Sequence, residues 1–127
     1  MLSEYTPTTT LATADPERSR QFYEGVLGFT AGDEEGGGVF YEAGNSSFFV
    51  YESGYAGTNK ATAMSFEVPT ETFDAEIQAL RDAGIGLETF EMEGVEWDGG
   101  VALMEGLRSA WFRDPDGNIL NVECRAA

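Results

Sequence analysis

The chain has 127 residues, of which 23 are acidic, 7 are basic and none is histidine, giving a formal net charge of −16. That length suits one domain with a real core, and that charge argues against partners built on nucleic-acid phosphates or anionic membrane surfaces. Without histidine, imidazole catalysis is excluded, and with Cys124 as the single cysteine most soft metal ligands and any internal disulfide go too.

In chain order, Thr8 to Thr13 is β-prone and partly alternating, which predicts a first strand. Asp15-Pro16 then opens a helix, the aspartate as N-cap and the proline in the first turn. Phe22, Tyr23, Val26 and Leu27 supply its apolar stripe, and Gly28 closes it. Three short strands are expected around 29–33, 39–42 and 47–52, separated by Glu35-Gly36-Gly37-Gly38 and Gly44-Asn45-Ser46. A glycine-containing connector over 53–60 follows, and the plan restarts. Residues 61–68 read as a strand, and Thr70 caps a helix with Phe73, Ile77 and Leu80 on its core face and Gly84 at its end. Further strands are expected over 85–92, 107–113 and 118–124, with Asp114-Pro115-Asp116-Gly117-Asn118 as the last turn and 93–106 as an inserted loop carrying Trp97.

Each half therefore reads β-α-β-β-β. The expected fold is α+β: two βαβββ modules forming a curved mixed sheet around a central cleft, with helices on the outer face. The chain is expected to be a single domain over 1–127, with module one at 6–52, a linker at 53–60 and module two at 61–124. A homodimer is expected, because partner chains often complete such sheets. No apolar run has the length of a membrane span and the N-terminus lacks a basic stretch leading into an apolar one, so the expected compartment is the cytoplasm. Lys60 is the single lysine among so many carboxylates, a balance that fits a high-salt host as well as plain solubility.

The segment from Leu11 through Asp15-Pro16-Glu17-Arg18-Ser19-Arg20-Gln21-Phe22-Tyr23 to Leu27-Gly28-Phe29 resembles the entry motif of vicinal oxygen chelate proteins, the superfamily of glyoxalases, bleomycin resistance proteins and extradiol dioxygenases. Trp111-Phe112-Arg113-Asp114-Pro115-Asp116-Gly117-Asn118 is similar to the same family's closing hairpin. Met64-Ser65-Phe66-Glu67-Val68, leading into a helix that ends at Ala83-Gly84-Ile85, matches its middle.

The resemblance implies a metal site at fixed positions, and here they hold Thr8, Ala63 and Asn121, with Glu52 at a fourth acidic position used by some members. An alcohol, a methyl and a neutral amide do not compensate a divalent cation, and catalytic sites usually take about three protein ligands. The expectation is a site with no metal and no other cofactor. Strand alternation turns Leu11 and Thr13 toward the first helix and Met64, Phe66 and Val68 toward the second. It leaves Thr8, Thr10 and Ala12, Ala63, Ser65 and Glu67, and Asn121 and Glu123 to line a cleft. Trp97 and Trp111 offer flat apolar surfaces to it. Trp97 reads more readily as a loop anchor than as a ligand contact, and Glu52 and Glu123 read equally as solvated carboxylates.

The expected ligand-binding set is thus Thr8, Thr10, Glu52, Ser65, Glu67, Trp97, Trp111, Asn121 and Glu123. The reading it favours is metal-free binding of a small molecule, such as an antibiotic or toxic metabolite. The resemblance also implies two others: a lyase or isomerase holding a divalent metal on Glu52 and Glu123, and an interaction module with a vestigial cleft. General acid–base work by Glu67 or Glu123 is open, but no Ser–His or Cys–His pair can exist.

Overall fold

The structure, a computed structural model, describes residues 1–125. It is α+β, with two sheets and two helices, and the chain divides into two units. The first comprises Met1–Asn59 with Pro115–Gly117, and the second Lys60–Asp114 with the chain from Asn118 on. None of the described helices is long and apolar enough to cross a membrane.

In the first unit β1 (Thr9–Thr13) leads to α1 (Pro16–Arg20), and then β2 (Ala31–Glu35), β3 (Gly38–Ala43) and β4 (Ser46–Glu52) build a sheet of order β1-β4-β3-β2. Asp15 caps α1 as expected: its Oδ1 accepts from the Arg18 N–H at 3.2 Å, with Pro16 in the first turn. The helix then widens into a π-wound segment, Gln21–Val26, before Gly28 takes φ +80°. That change of winding turns Val26 out to solvent, so the buried side chain of this segment is Tyr23 rather than the whole expected stripe. Phe29 lies outside any strand, and its ring meets Phe48 edge-on at 5.1 Å. Tyr23, Tyr41 and Phe48 stack around it, over Leu11, Val39 and Val50, to make the core under α1.

The second unit repeats the plan with one strand more. β5 (Thr62–Glu67), α2 (Phe73–Asp82), β6 (Glu96–Asp98), β7 (Val101–Met104), β8 (Leu107–Arg113) and β9 (Ile119–Arg125) give the order β5-β9-β8-β7-β6. Phe73 and Ile77 are buried and Leu80 is half-buried, as the helical spacing predicts. Thr70 does not cap α2: it opens a short 3₁₀ turn, Thr70–Thr72, and its hydroxyl donates to the Arg125 carbonyl at 2.7 Å. The Arg108 guanidinium lies 4.7 Å above the Phe73 ring and pairs with Asp74 at 2.9 Å, sealing the start of the helix.

Two expectations are corrected here. Residues 85–92 form no strand; their one ladder contact is the Glu88–Trp111 bridge. The stretch expected as a loop over 93–106 instead contains the β6–β7 hairpin, turned by Gly99 and Gly100 at φ +59° and +90°. That two-glycine turn matches strand twist, and it places Trp97 on a strand rather than in a loop.

Candidate functional site

Cross-strand partners share a face, so the register alone assembles the side of the second sheet turned away from α2. Ser65 pairs with Asn121, and Asn121 with Trp111. One row along, Glu67 pairs with Glu123, Glu123 with Ser109, Ser109 with Ala102, and Ala102 with Trp97. Six of the predicted positions, Ser65, Glu67, Trp97, Trp111, Asn121 and Glu123, therefore lie on one face.

Their roles differ. The Trp97 and Trp111 rings are 6.0 Å apart, and Phe90 meets Trp111 edge-on at 5.7 Å, so three aromatic rings form a half-buried cluster. Trp111 is fixed in place: its indole N–H donates to Thr62 Oγ1 at 3.1 Å, and its carbonyl accepts from the Glu88 N–H at 2.7 Å. Trp97 has no hydrogen bond from its indole nitrogen among the described residues. Glu67 accepts from Arg125 Nε at 3.1 Å. The half-buried Glu123 side chain has no partner among the described residues, which leaves it the unspent carboxylate of the row. Asn121 is buried, and its amide is already used: Nδ2 donates to Ser109 Oγ and, at 3.1 Å, to the Ala110 carbonyl. It braces β9 against β8 more than it lines an open surface. Cys124 is buried on the opposite side, beside α2, where its thiol is out of reach.

In the first unit Thr10 pairs with Phe49 and Phe49 with Phe40; Ala12 pairs with Tyr51 and Tyr51 with Gly38. This face, turned away from α1, carries an aromatic strip absent from the sequence-based set. Phe40 and Phe49 are 4.5 Å apart, and Phe49 and Tyr51 lie 6.0 Å apart with ring planes within 8°. The Phe49 ring occupies the space where a side chain on Gly38 would begin, so only glycine fits there. The signal was legible in Phe48-Phe49: adjacent residues of a strand point to opposite faces, so one of the two had to be outside the core. Thr8, just before β1, is exposed, and its carbonyl accepts from the Thr10 hydroxyl at 3.1 Å.

Glu52 corrects an expectation. It pairs with Thr13, and Phe48 and Val50, four and two residues earlier, are buried under α1. Period-two alternation therefore puts Glu52 on the helix side of its sheet, while Tyr51 takes the face that carries Thr10 and Ala12. The set of metal ligands implied by the resemblance does not fit a cation. Thr8 is neutral, Ala63 at a bulge in β5 has no donor, Asn121 is spent on β8, and Glu52 faces the other way. Among the described residues no three of His, Cys, Asp or Glu come together in a metal-holding group.

The electrostatics of the α1 side are set by one network. Arg20 donates to Glu24 at 2.7 Å and to Glu34 at 2.6 Å, and the Tyr41 hydroxyl donates to Glu24 at 2.9 Å. The Arg20 hydrogen bond holds the Glu24 carboxyl below its ordinary range, and burial, then Glu24, pushes the Tyr41 phenol up. The network joins the helix to the sheet.

Solved structures with this arrangement span nearly the whole chain. A glyoxalase/bleomycin resistance protein/dioxygenase from Alicyclobacillus acidocaldarius superposes with a TM-score of 0.74 at 13% identity, covering 97% of this chain and 92% of that one. Lactoylglutathione lyase from Agrobacterium tumefaciens gives 0.69 at 19% identity, covering 94% and 92%. Fosfomycin resistance protein FosX from Mesorhizobium loti gives 0.65 at 16%, covering 97% and 93%. At these identities the likeness is one of fold. A comparison with curated proteins finds no match. Residues 6–122 match the family described as Glyoxalase/Bleomycin resistance protein/Dioxygenase superfamily, and the chain belongs to that superfamily.

Proposed function

We propose that this protein binds a flat, basic organic molecule on the face of the second sheet that carries Trp97, Trp111 and Glu123, and that it does so without a metal. The observation that carries the reading is the pairing of an aromatic cluster with a carboxylate that has no partner among the described residues, on the same face. Stacking supplies apolar contact to a planar ligand, and Glu123 supplies charge to a protonated amine or guanidinium. The poverty of the donor set at the family's metal positions supports binding over metal-assisted lyase chemistry. Sequestration of a basic antibiotic or toxic metabolite in the cytoplasm, by a homodimer, is the biological form of this proposal. The neighbour that bears the name fosfomycin resistance protein makes drug resistance a reasonable setting.

Tryptophan-fluorescence titration tests it, using a basic glycopeptide antibiotic and, as a control, a neutral aromatic of similar size. Saturable quenching by the basic compound, weakened about tenfold or more in Glu123→Gln, is the expected result. Equal affinity of wild type and Glu123→Gln for both compounds contradicts the assignment.

A further inference from the structure

We infer that the first unit carries a second ligand site, on the side of its sheet opposite to the aromatic strip, for a small aliphatic ammonium ion. A cavity of about 360 Å³ lies between α1 and the β2–β3 turn, within the size range of small-ligand pockets. Ser19 lines it, is 2% exposed, and has an Oγ with no hydrogen-bond partner among the described residues. A buried hydroxyl in that condition is costly, so it marks a place where a hydrogen-bonding partner is wanted.

The charge around it specifies which partner. Glu35 and Glu52 line the same cavity, and neither carboxylate has a partner among the described residues. Arg20, the one cation on the wall, is already held by Glu24 and Glu34 and so does not neutralise them. Pro16, Val39 and Val50 give the remaining wall an apolar character suited to a short methylene chain. A metal ion is the wrong occupant, because no three metal-ligating groups converge among the described residues. An alkylammonium satisfies each feature at once: N–H donors for Ser19 and the two carboxylates, positive charge for the cavity, methylenes for the aliphatic wall. Glu52, which the family resemblance places at a metal, is here a carboxylate of this outer cavity.

Isothermal titration of the whole protein with 1,4-diaminobutane, at about 0.15 M ionic strength to screen the general negative field, tests the assignment. The expected result is one saturable site, weakened about tenfold or more in Glu52→Gln and several-fold in Ser19→Ala. Ser19→Ala should leave the thermal midpoint of the free protein unchanged or raised, since the hydroxyl it removes is unsatisfied. Glu71→Gln, an exposed change in the second unit, should leave binding intact. The inference is overturned if butane-1,4-diol binds as well as the diamine, or if Glu71→Gln and Glu52→Gln weaken binding equally. It is also overturned if Ser19→Ala lowers the midpoint, which means the hydroxyl already has a partner. Glu52→Gln and Ser19→Ala change no residue of the aromatic site, so success or failure here is separable from that of the aromatic site.

Discussion

Asn121 stands where relatives are expected to hold a metal, yet its surroundings make it a brace, and removing it should be expensive. Asn121→Ala deletes two hydrogen bonds at a site 3% exposed and orphans Ser109 Oγ in a residue 1% exposed. A buried hydroxyl left without its partner costs about 1–3 kcal/mol, and the lost side-chain volume adds roughly 1 kcal/mol, for a total of about 2–4 kcal/mol. Asn121→Asp keeps the shape but turns a donor into a carboxylate beside the Ala110 carbonyl. Its folded-state pKa must then rise above the ordinary Asp value, because burial and an acceptor neighbour both disfavour the charge. The penalty is small below about pH 4, where the unfolded and folded carboxyls are both protonated, and grows as pH rises through the raised value. Urea unfolding followed by tryptophan fluorescence at pH 7 and near pH 4 measures both variants. A cost under about 0.5 kcal/mol for Asn121→Ala, in the range of ordinary surface changes, refutes the bracing role.

Other predictions rest on separate parts of the fold. Tyr41→Phe removes a buried donor to a charged acceptor and should cost about 1–3 kcal/mol in urea unfolding, and most of that cost should vanish when the same change is made in a Glu24→Gln background in a double-mutant cycle. Because the Glu24 pKa is lowered on folding, its contribution is present above about pH 4.3 and lost as pH falls through the folded value, so Glu24→Gln should flatten the acid limb of stability. The Tyr41 pKa is raised, so its contribution is full below about pH 10 and declines above it; absorbance of tyrosinate should show one tyrosine that ionises late or only on unfolding. Gly38→Ala should cost about 1–3 kcal/mol by forcing the Phe49 ring aside, and near-ultraviolet circular dichroism should register the loss of the Phe49–Tyr51 stacking. Asp15→Ala should cost about 1 kcal/mol through loss of the α1 cap.

Where the sequence could be read, it was because a local rule had no rival. Asp15-Pro16 and Gly28 bracket one turn-limited helix, and the 3–4 spacing of Phe73, Ile77 and Leu80 defines the buried side of the other. The duplicated plan follows from the same reasoning, and both sheets repeat the order first-last-middle. The failures are just as physical. Residues 85–92 carry spaced apolar side chains like a strand, but their parity switches between Leu87 and Phe90, and the segment reaches β8 through a single bridge. Residues 96–104 form strands of three and four residues, too short to display a period, so their four flanking glycines dominated the reading; the Gly99-Gly100 pair was the available hairpin signal. At the site, parity counted from Met64, Phe66 and Val68 on β5 and from Leu120, Val122 and Cys124 on β9 sets Ser65, Glu67, Asn121 and Glu123 on one side, and the register pairs Ser65 with Asn121 and Glu67 with Glu123. Glu52 was not placed by parity, because it was assigned by analogy with a ligand position while the parity of Phe48 and Val50 pointed the other way. That the Asn121 amide is consumed by Ser109 depends on a neighbouring strand's register, which no count along one strand contains.

The most direct test of metal-free recognition is calorimetric titration of a basic aromatic ligand into protein freed of metal by chelation and dialysis, then again with Zn²⁺ or Mn²⁺ restored. Saturable binding of equal affinity in both samples, lost together with the charge in Glu123→Gln, is the predicted result. Binding that appears only when the divalent ion is returned contradicts it.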